Sequence, residues 1–123
     1  MTFDRTGILL LTENYAECVA FYKDKLVLPV MFATESLTCF NFGGAYLMVE
    51  TNGRASLQGK TVEQSPVTLR MNVADIDDAI QHLREKGIKV QKEVFEWGVI
   101  ANFHDPDGNV CQLKDRKTFE ARL

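Results

Sequence analysis

Residues 7–50 of this 123-residue chain are echoed at 68–114, at an offset of 61 that lengthens to 64 near the end. A sequence written twice on one plan must build one supersecondary unit twice, which narrows the available architectures more than any composition figure. The clearest echo is a helix face. Tyr15, Cys18, Val19, Tyr22 and Leu26 recur at the spacing of one side of an α-helix. Adding 61 reaches Ile76, Ala79, Ile80 and Leu83 on a second such side. Asn14 and Asp75 stand where each helix needs a side-chain cap, Glu17 lies at capping-box spacing from Asn14, and Gly87 follows the second helix as a stop.

A strand-like segment precedes each helix, at residues 6–12 and 66–73. In the second, Val67, Leu69, Met71 and Val73 alternate with Thr68, Arg70 and Asn72, which places the two sets on opposite faces. Three short apolar runs follow each helix, at 28–32, 37–42 and 45–50, then at 88–91, 99–103 and 109–114. Gly43-Gly44 and Asp105-Pro106-Asp107-Gly108 supply the last hairpin of each set, and Asn41-Phe42 matches Asn102-Phe103. Each half therefore reads β-α-β-β-β. The expected organisation is one domain: a first repeat over about 6–50, a polar linker at 51–65, a second repeat over about 66–115, and a tail at 116–123. Phe119 and Leu123, four apart, suggest a short helix in that tail. The competing reading is an ordinary α+β domain whose helix faces match by chance. Matching helix faces, caps, preceding strands and the Asn-Phe pair count against it.

A chain of this length buries one core without staples. Its 46% apolar and 25% charged residues are those of a globular protein. The net charge of −3 is spread without a run of either sign, which argues against nucleic acid or an anionic membrane as partner. The first residues carry no apolar leader and no run is long enough to span a bilayer, so a cytoplasmic location is expected. Cys18, Cys39 and Cys111 show no metal-binding or redox spacing and sit in apolar periodic segments, so they read as reduced core residues.

A sheet with a helix on one face must dispose of the other. Two such sheets curving toward each other would line a trough. Alternation assigns Gly7, Leu9 and Leu11 to that side in the first half, and Thr68, Arg70 and Asn72 in the second. The last strands add Tyr46, Met48 and Glu50, matched by Val110, Gln112 and Lys114. Arg70, mid-strand, needs an acidic partner such as Glu50, an outlet to water at a sheet edge, or an anionic ligand. Trp97, between two strands, is either a core residue or a stacking platform for a planar ligand. His82 reads as a solvated helix residue and His104 as a hairpin residue, and neither has a nucleophile or acid placed beside it by any local signature.

The paired βαβββ units, the segment Phe21-Tyr22-Lys23-Asp24-Lys25-Leu26-Val27-Leu28, and Phe103-His104-Asp105-Pro106-Asp107-Gly108-Asn109 ahead of the final strand resemble the vicinal oxygen chelate superfamily. That superfamily includes glyoxalase I, bleomycin-resistance proteins and extradiol dioxygenases. The resemblance covers nearly the whole chain and implies an α+β fold in which tandem βαβββ units form a curved mixed sheet around a trough. In metal-dependent members it implies a divalent ion held by His or Glu near the start of each half and by Glu on each last strand. Carried over, those positions are Gly7, Met48, Thr68 and Gln112. Only the Gln112 amide oxygen among them could coordinate, and a slip of two residues would add Glu50 as a single carboxylate.

The expectation is therefore a protein without a metal or other cofactor, binding a small aromatic or charged organic molecule through Arg70, Asn72, Thr68, Gln112, Met48, Glu50 and Trp97. Bleomycin-resistance relatives hold their drug in grooves across a homodimer, so the resemblance also implies a homodimer. A metal-dependent lyase or dioxygenase relative acting through Glu50 is the alternative. A third possibility is a decayed site filled by its own side chains, in a protein that acts through association alone.

Overall fold

The doubled pattern of apolar periods folds as written, βαβββ twice. The computed structural model describes residues 1–123. The first unit runs β1 (Gly7–Leu11), α1 (Tyr15–Ala20), a π-helical turn (Phe21–Lys25), β2 (Val30–Ala33), β3 (Leu37–Phe42) and β4 (Ala45–Glu50). The second runs β5 (Leu69–Val73), α2 (Ile76–Glu85), β6 (Gln91–Phe95), β7 (Gly98–His104) and β8 (Val110–Asp115), followed by α3 (Arg116–Glu120). Each unit forms its own four-stranded sheet, in the orders β1-β4-β3-β2 and β5-β8-β7-β6. In both, the first strand lies parallel to the last and the remaining pairs are antiparallel. No strand of one sheet pairs with a strand of the other, so the mixed sheet expected of the tandem βαβββ units is built as two four-stranded sheets, one from each unit.

The first helix departs from its expected regular course. After Ala20 the chain widens into the π-helical turn, and the extra residue per turn lets adjacent Phe21 and Tyr22 both face inward, where both are buried. Their rings meet edge to face at 5.1 Å. Tyr22 then lies 6.3 Å from Phe40 on the first sheet, and Phe21 lies 6.2 Å from Phe103 on the second. One turn of helix thus packs against both sheets, and the apolar core is a single cluster of 15 buried residues drawn from both repeats. Burying an aromatic side chain of this kind contributes roughly 1.5–3 kcal/mol. The turn ends at Val27, whose φ of 57° is unusual for a β-branched residue, and Lys86 reaches over from the end of α2 to donate to the carbonyls of Asp24 and Lys25 at 3.2 and 2.8 Å.

The second helix follows its signals more closely. Asp75 accepts from the Asp78 N–H at 3.0 Å as N-cap, Ile76, Ile80 and Leu83 are buried, and Gly87 turns the chain with φ +82°. Asn14 forms no such cap. Its amide donates instead to Asp107 Oδ1 at 2.9 Å, because the Asp105–Asn109 hairpin reaches back to the start of α1.

That hairpin joins the two halves. Asp107 accepts from the backbone N–H groups of Glu13 at 2.6 Å and Asn14 at 3.0 Å. Asp105 accepts from the N–H groups of Asp107 and Asn109 through one oxygen, and from the Tyr22 hydroxyl at 2.6 Å and the Asn109 amide at 2.8 Å through the other. The segment between the repeats is also tied down. Ser56 N–H donates to the Asp107 carbonyl, Lys60 N–H to the Gly108 carbonyl, and the Lys60 ammonium to Asn109 Oδ1 at 2.7 Å. A Cβ on Gly108 would stand 2.1 Å from the Ser56 carbonyl oxygen, and φ there is +84°, so the approach requires glycine.

Three expectations move. The strand expected at 88–91 begins only at Gln91. Ile88 is instead a core residue beyond Gly87, and β6, at the edge of its sheet, carries polar residues that apolar patterning cannot detect. Likewise β5 starts at Leu69, leaving Thr68 outside it. Finally, Asn41-Phe42 and Asn102-Phe103 are not equivalent positions, since Asn41 pairs with Tyr46 whereas Asn102 pairs with Gln112. The tail forms its short helix. No helix is long and apolar enough to cross a membrane. All three cysteines are buried and unpaired, although Cys39 lies on the sheet face away from the common core.

Candidate functional site

Each sheet gives one face to the shared core and leaves alternate residues on its other face. On the first sheet one row across all four strands reads Leu9, Met48, Cys39 and Phe32. The equivalent row on the second sheet reads Arg70, Gln112, Asn102 and Gln91. The two rows occupy the same place in the repeated fold and have opposite chemistry.

The first face is apolar and open. Leu9, Leu11 and Phe32 are 59%, 50% and 50% exposed. At the start of β1 the far end of the Tyr46 ring lies over Gly7, so that a Cβ built there would come within 2.2 Å of the ring carbons. Glu50 is half-buried on this side; its backbone carbonyl accepts from the Thr12 N–H and hydroxyl, each at 2.7 Å, while its carboxylate has no hydrogen-bond or ion-pair partner.

The second face carries a directional chain of hydrogen bonds. Arg70 Nε donates to Gln112 Oε1 at 2.6 Å, Gln112 Nε2 donates to Asn102 Oδ1 at 2.8 Å, and Asn102 Nδ2 donates to Glu93 Oε1 at 3.2 Å. Donors all point one way, from a cationic end to an anionic one, so each bond polarises the next. Arg70 does not pair with Glu50 as one reading expected. No carboxylate lies within ion-pair reach of its guanidinium, and its two Nη groups have no protein acceptor. Asn72, two residues along the same face, is exposed, as is Thr68 just before the strand.

At the far end of this face, Trp97 occupies the β6–β7 turn, 39% exposed and stacked on Phe95 with centroids 4.8 Å apart. It is thus an outward platform already backed by a second ring. The Lys114 ammonium sits 5.6 Å from the Trp97 ring centroid, buried, and donates to Asp115 Oδ1 at 2.9 Å and to the Thr118 hydroxyl of α3. The N–H of Val99 beside Asp115, reinforced by Thr118 and Lys114, holds this carboxyl well below the usual carboxylate range despite its desolvation. On Asp107 the hydrogen bonds from Glu13 and Asn14 likewise outweigh the upward push of burial and leave its pKa lowered.

The donor set does not fit a divalent metal. Gly7 offers no ligand and the Tyr46 ring occupies its space; Met48 offers a thioether; Thr68 lies outside its strand; and both ends of the Gln112 amide are spent on Arg70 and Asn102. Nowhere do three His, Cys, Asp or Glu side chains gather in a metal-binding group.

Sequence reasoning placed Arg70, Asn72 and Gln112 on one face of one sheet and Met48 and Glu50 on the corresponding face of the other, and left Trp97 between two strands as either core or platform. It missed Glu93 as the terminus of the hydrogen-bond chain, because β6 was misplaced. It also missed Tyr46 as the occupant above Gly7, for which a lone glycine inside a strand was the available signal.

A family model described as a glyoxalase-like domain matches residues 6–116. The chain is 29% identical over 119 residues to the uncharacterized protein YraH of Bacillus subtilis, an alignment covering 86% of this chain and 93% of that one. Among solved structures it is similar to the fosfomycin resistance protein FosX of Listeria monocytogenes, with a TM-score of 0.77 at 18% identity and full coverage of both chains. It is also similar to TnmS3, an antibiotic binding protein from a Streptomyces species, with a TM-score of 0.71 at 18% identity over 93% of this chain and 96% of that one. Such distant likeness speaks for the fold.

Proposed function

The chain belongs to the glyoxalase-like family, and we propose that within it this protein is a single-domain, metal-free binder of a small organic molecule, working as a homodimer. The observation that carries the reading is the Tyr46 ring over Gly7 together with the doubly engaged Gln112 amide. Two of the four positions where the family resemblance implies metal ligands are thereby committed to other contacts. What the open faces offer instead is an apolar row on the first sheet, and on the second a polar row and an aromatic platform at Trp97, chemistry suited to contacts with an amphipathic organic molecule. Structural neighbours named for antibiotic binding and fosfomycin resistance fit such a role.

The homodimer is supported by the first sheet. Its Leu9 and Leu11 on one edge strand and Phe32 on the other are each half exposed or more, with Met48 and a buried Cys39 between them, and a second copy is the partner that would remove these edges from water. Three buried, unpaired thiols suit a reducing compartment, and the cytoplasm is the proposed location. One observation favours a metal-dependent enzyme instead: the Glu50 carboxylate has no hydrogen-bond or ion-pair partner in the protein and is therefore free to act as a ligand.

Thermal-shift screening with aromatic and charged compounds in the presence of EDTA tests the reading. A ligand at a hundred times its Kd should stabilise the protein by about 2.7 kcal/mol whether or not chelator is present. Stabilisation by no compound, or only when a divalent metal is added, would count against it.

A further inference from the structure

We infer that the ligand is a small organic monoanion with an apolar body, held by Arg70 in a cleft along the edge of β5. This deepens the proposed function, and rests on it, by naming the chemical class of the ligand and the residue that selects it. The cleft has a volume of about 550 Å³ and draws on both repeats and the tail: Leu28 and Phe42 from the first, Arg70 and Asn72 from β5, and Phe119 from α3. That volume is within the ~300–1,000 Å³ common for small-molecule sites.

Arg70 is the only charged residue in the lining. Arg70 is exposed, with no carboxylate in reach of its guanidinium. Its Nε is nevertheless fastened to the Oε1 of Gln112, itself buried and held through Asn102 to Glu93, so the head is oriented before any ligand arrives. The two Nη groups remain as unpaired donors, the geometry that accepts two oxygens of one carboxylate, phosphonate or sulfonate. Because the head is already held in place, less rotamer entropy is lost on binding. Asn72 adds an amide beside it, and Phe42, Phe119 and Leu28 provide apolar surface for the rest of the molecule. A neutral guest would leave the two Nη donors to water, and a cationic one would meet the only charge of the lining with its own sign.

The test uses the full-length protein, phenylacetate as probe and phenylacetamide as its neutral counterpart, read by two-dimensional 15N–1H NMR that includes the arginine Nε–Hε region. Phenylacetate should shift the Arg70 Nε–Hε resonance and residues around Phe42 and Phe119, and should bind at least about tenfold more tightly than the amide. Arg70→Gln should remove that preference, Arg70→Lys should restore only part of it, and Phe119→Ala, an exposed position, should weaken the acid while leaving the fold dispersion unchanged. Equal binding of acid and amide, or no movement of the Arg70 resonance at millimolar phenylacetate, would overturn the inference. Compounds that bind at the Leu9–Met48 face and ignore Arg70→Gln would also overturn it, yet would leave the broader small-molecule role standing.

Discussion

The outer end of the Tyr46 ring fills the space that a side chain at Gly7 would need, its Cε2 and Cζ each 2.2 Å from the ideal Cβ position. The two residues are direct partners in the parallel β1–β4 ladder, so ring and glycine act as a pair. Gly7→Ala should therefore cost about 1–3 kcal/mol by overpacking. In the Tyr46→Ala background the same change should cost almost nothing. A double-mutant cycle by urea unfolding measures this coupling, and additive effects would show that the ring moves aside freely.

Asp107 should be the strongest polar determinant of stability. It is fully buried and satisfies the N–H groups of Glu13 and Asn14 across the boundary between repeats. Asp107→Ala would leave those donors without a partner and should cost about 2–4 kcal/mol. Asp78→Ala, at an exposed helix position, is the control and should change stability by less than about 0.5 kcal/mol.

Acid should weaken the fold from the same place. The pKa values of Asp107 and Asp115 are both lowered in the folded state. A depressed folded pKa contributes stability that is present above the unfolded value, near 3.9 for Asp, and is lost as pH falls through the folded one. Unfolding free energy should thus hold steady from neutral pH to about 5 and decline below about 4. Asp107→Asn should flatten that decline, and an unchanged slope in the variant would remove Asp107 from the account.

Val27 holds a left-handed backbone conformation with most of its side chain in solvent. Val27→Gly should relieve the clash of Cβ with the following carbonyl and stabilise the protein by about 1 kcal/mol. Chemical denaturation checks the sign, and destabilisation would show that the valine side chain contributes packing that outweighs the strain.

Much of the fold was legible because it rests on repeated local signals. The apolar periods of Tyr15–Leu26 and Ile76–Leu83, the Asp75 cap and the Gly87 stop all report on neighbours within a turn or two. What escaped the sequence depends on partners far along the chain. Asn14 carries the right chemistry for a cap, yet Asp107 claims its amide from 93 residues away. Phe21 lies off the regular helix stripe, and only the π-helical turn brings it inward beside Tyr22. Strand β6 is polar because it lies at a sheet edge, which hid Glu93 and with it the end of the Arg70 chain. The candidate site was half visible for the same reason. Alternation identified the face that bears Arg70, Asn72 and Gln112, but which of these residues hydrogen-bond to one another is settled by strand register.

Titration of nickel, zinc, manganese and cobalt into EDTA-stripped protein, followed calorimetrically, is the most direct test of a metal-free site. No stoichiometric binding to the wild-type protein is expected, and none that Glu50→Gln or Gln112→Ala can remove. One ion bound per chain, lost in those two variants, would contradict that expectation.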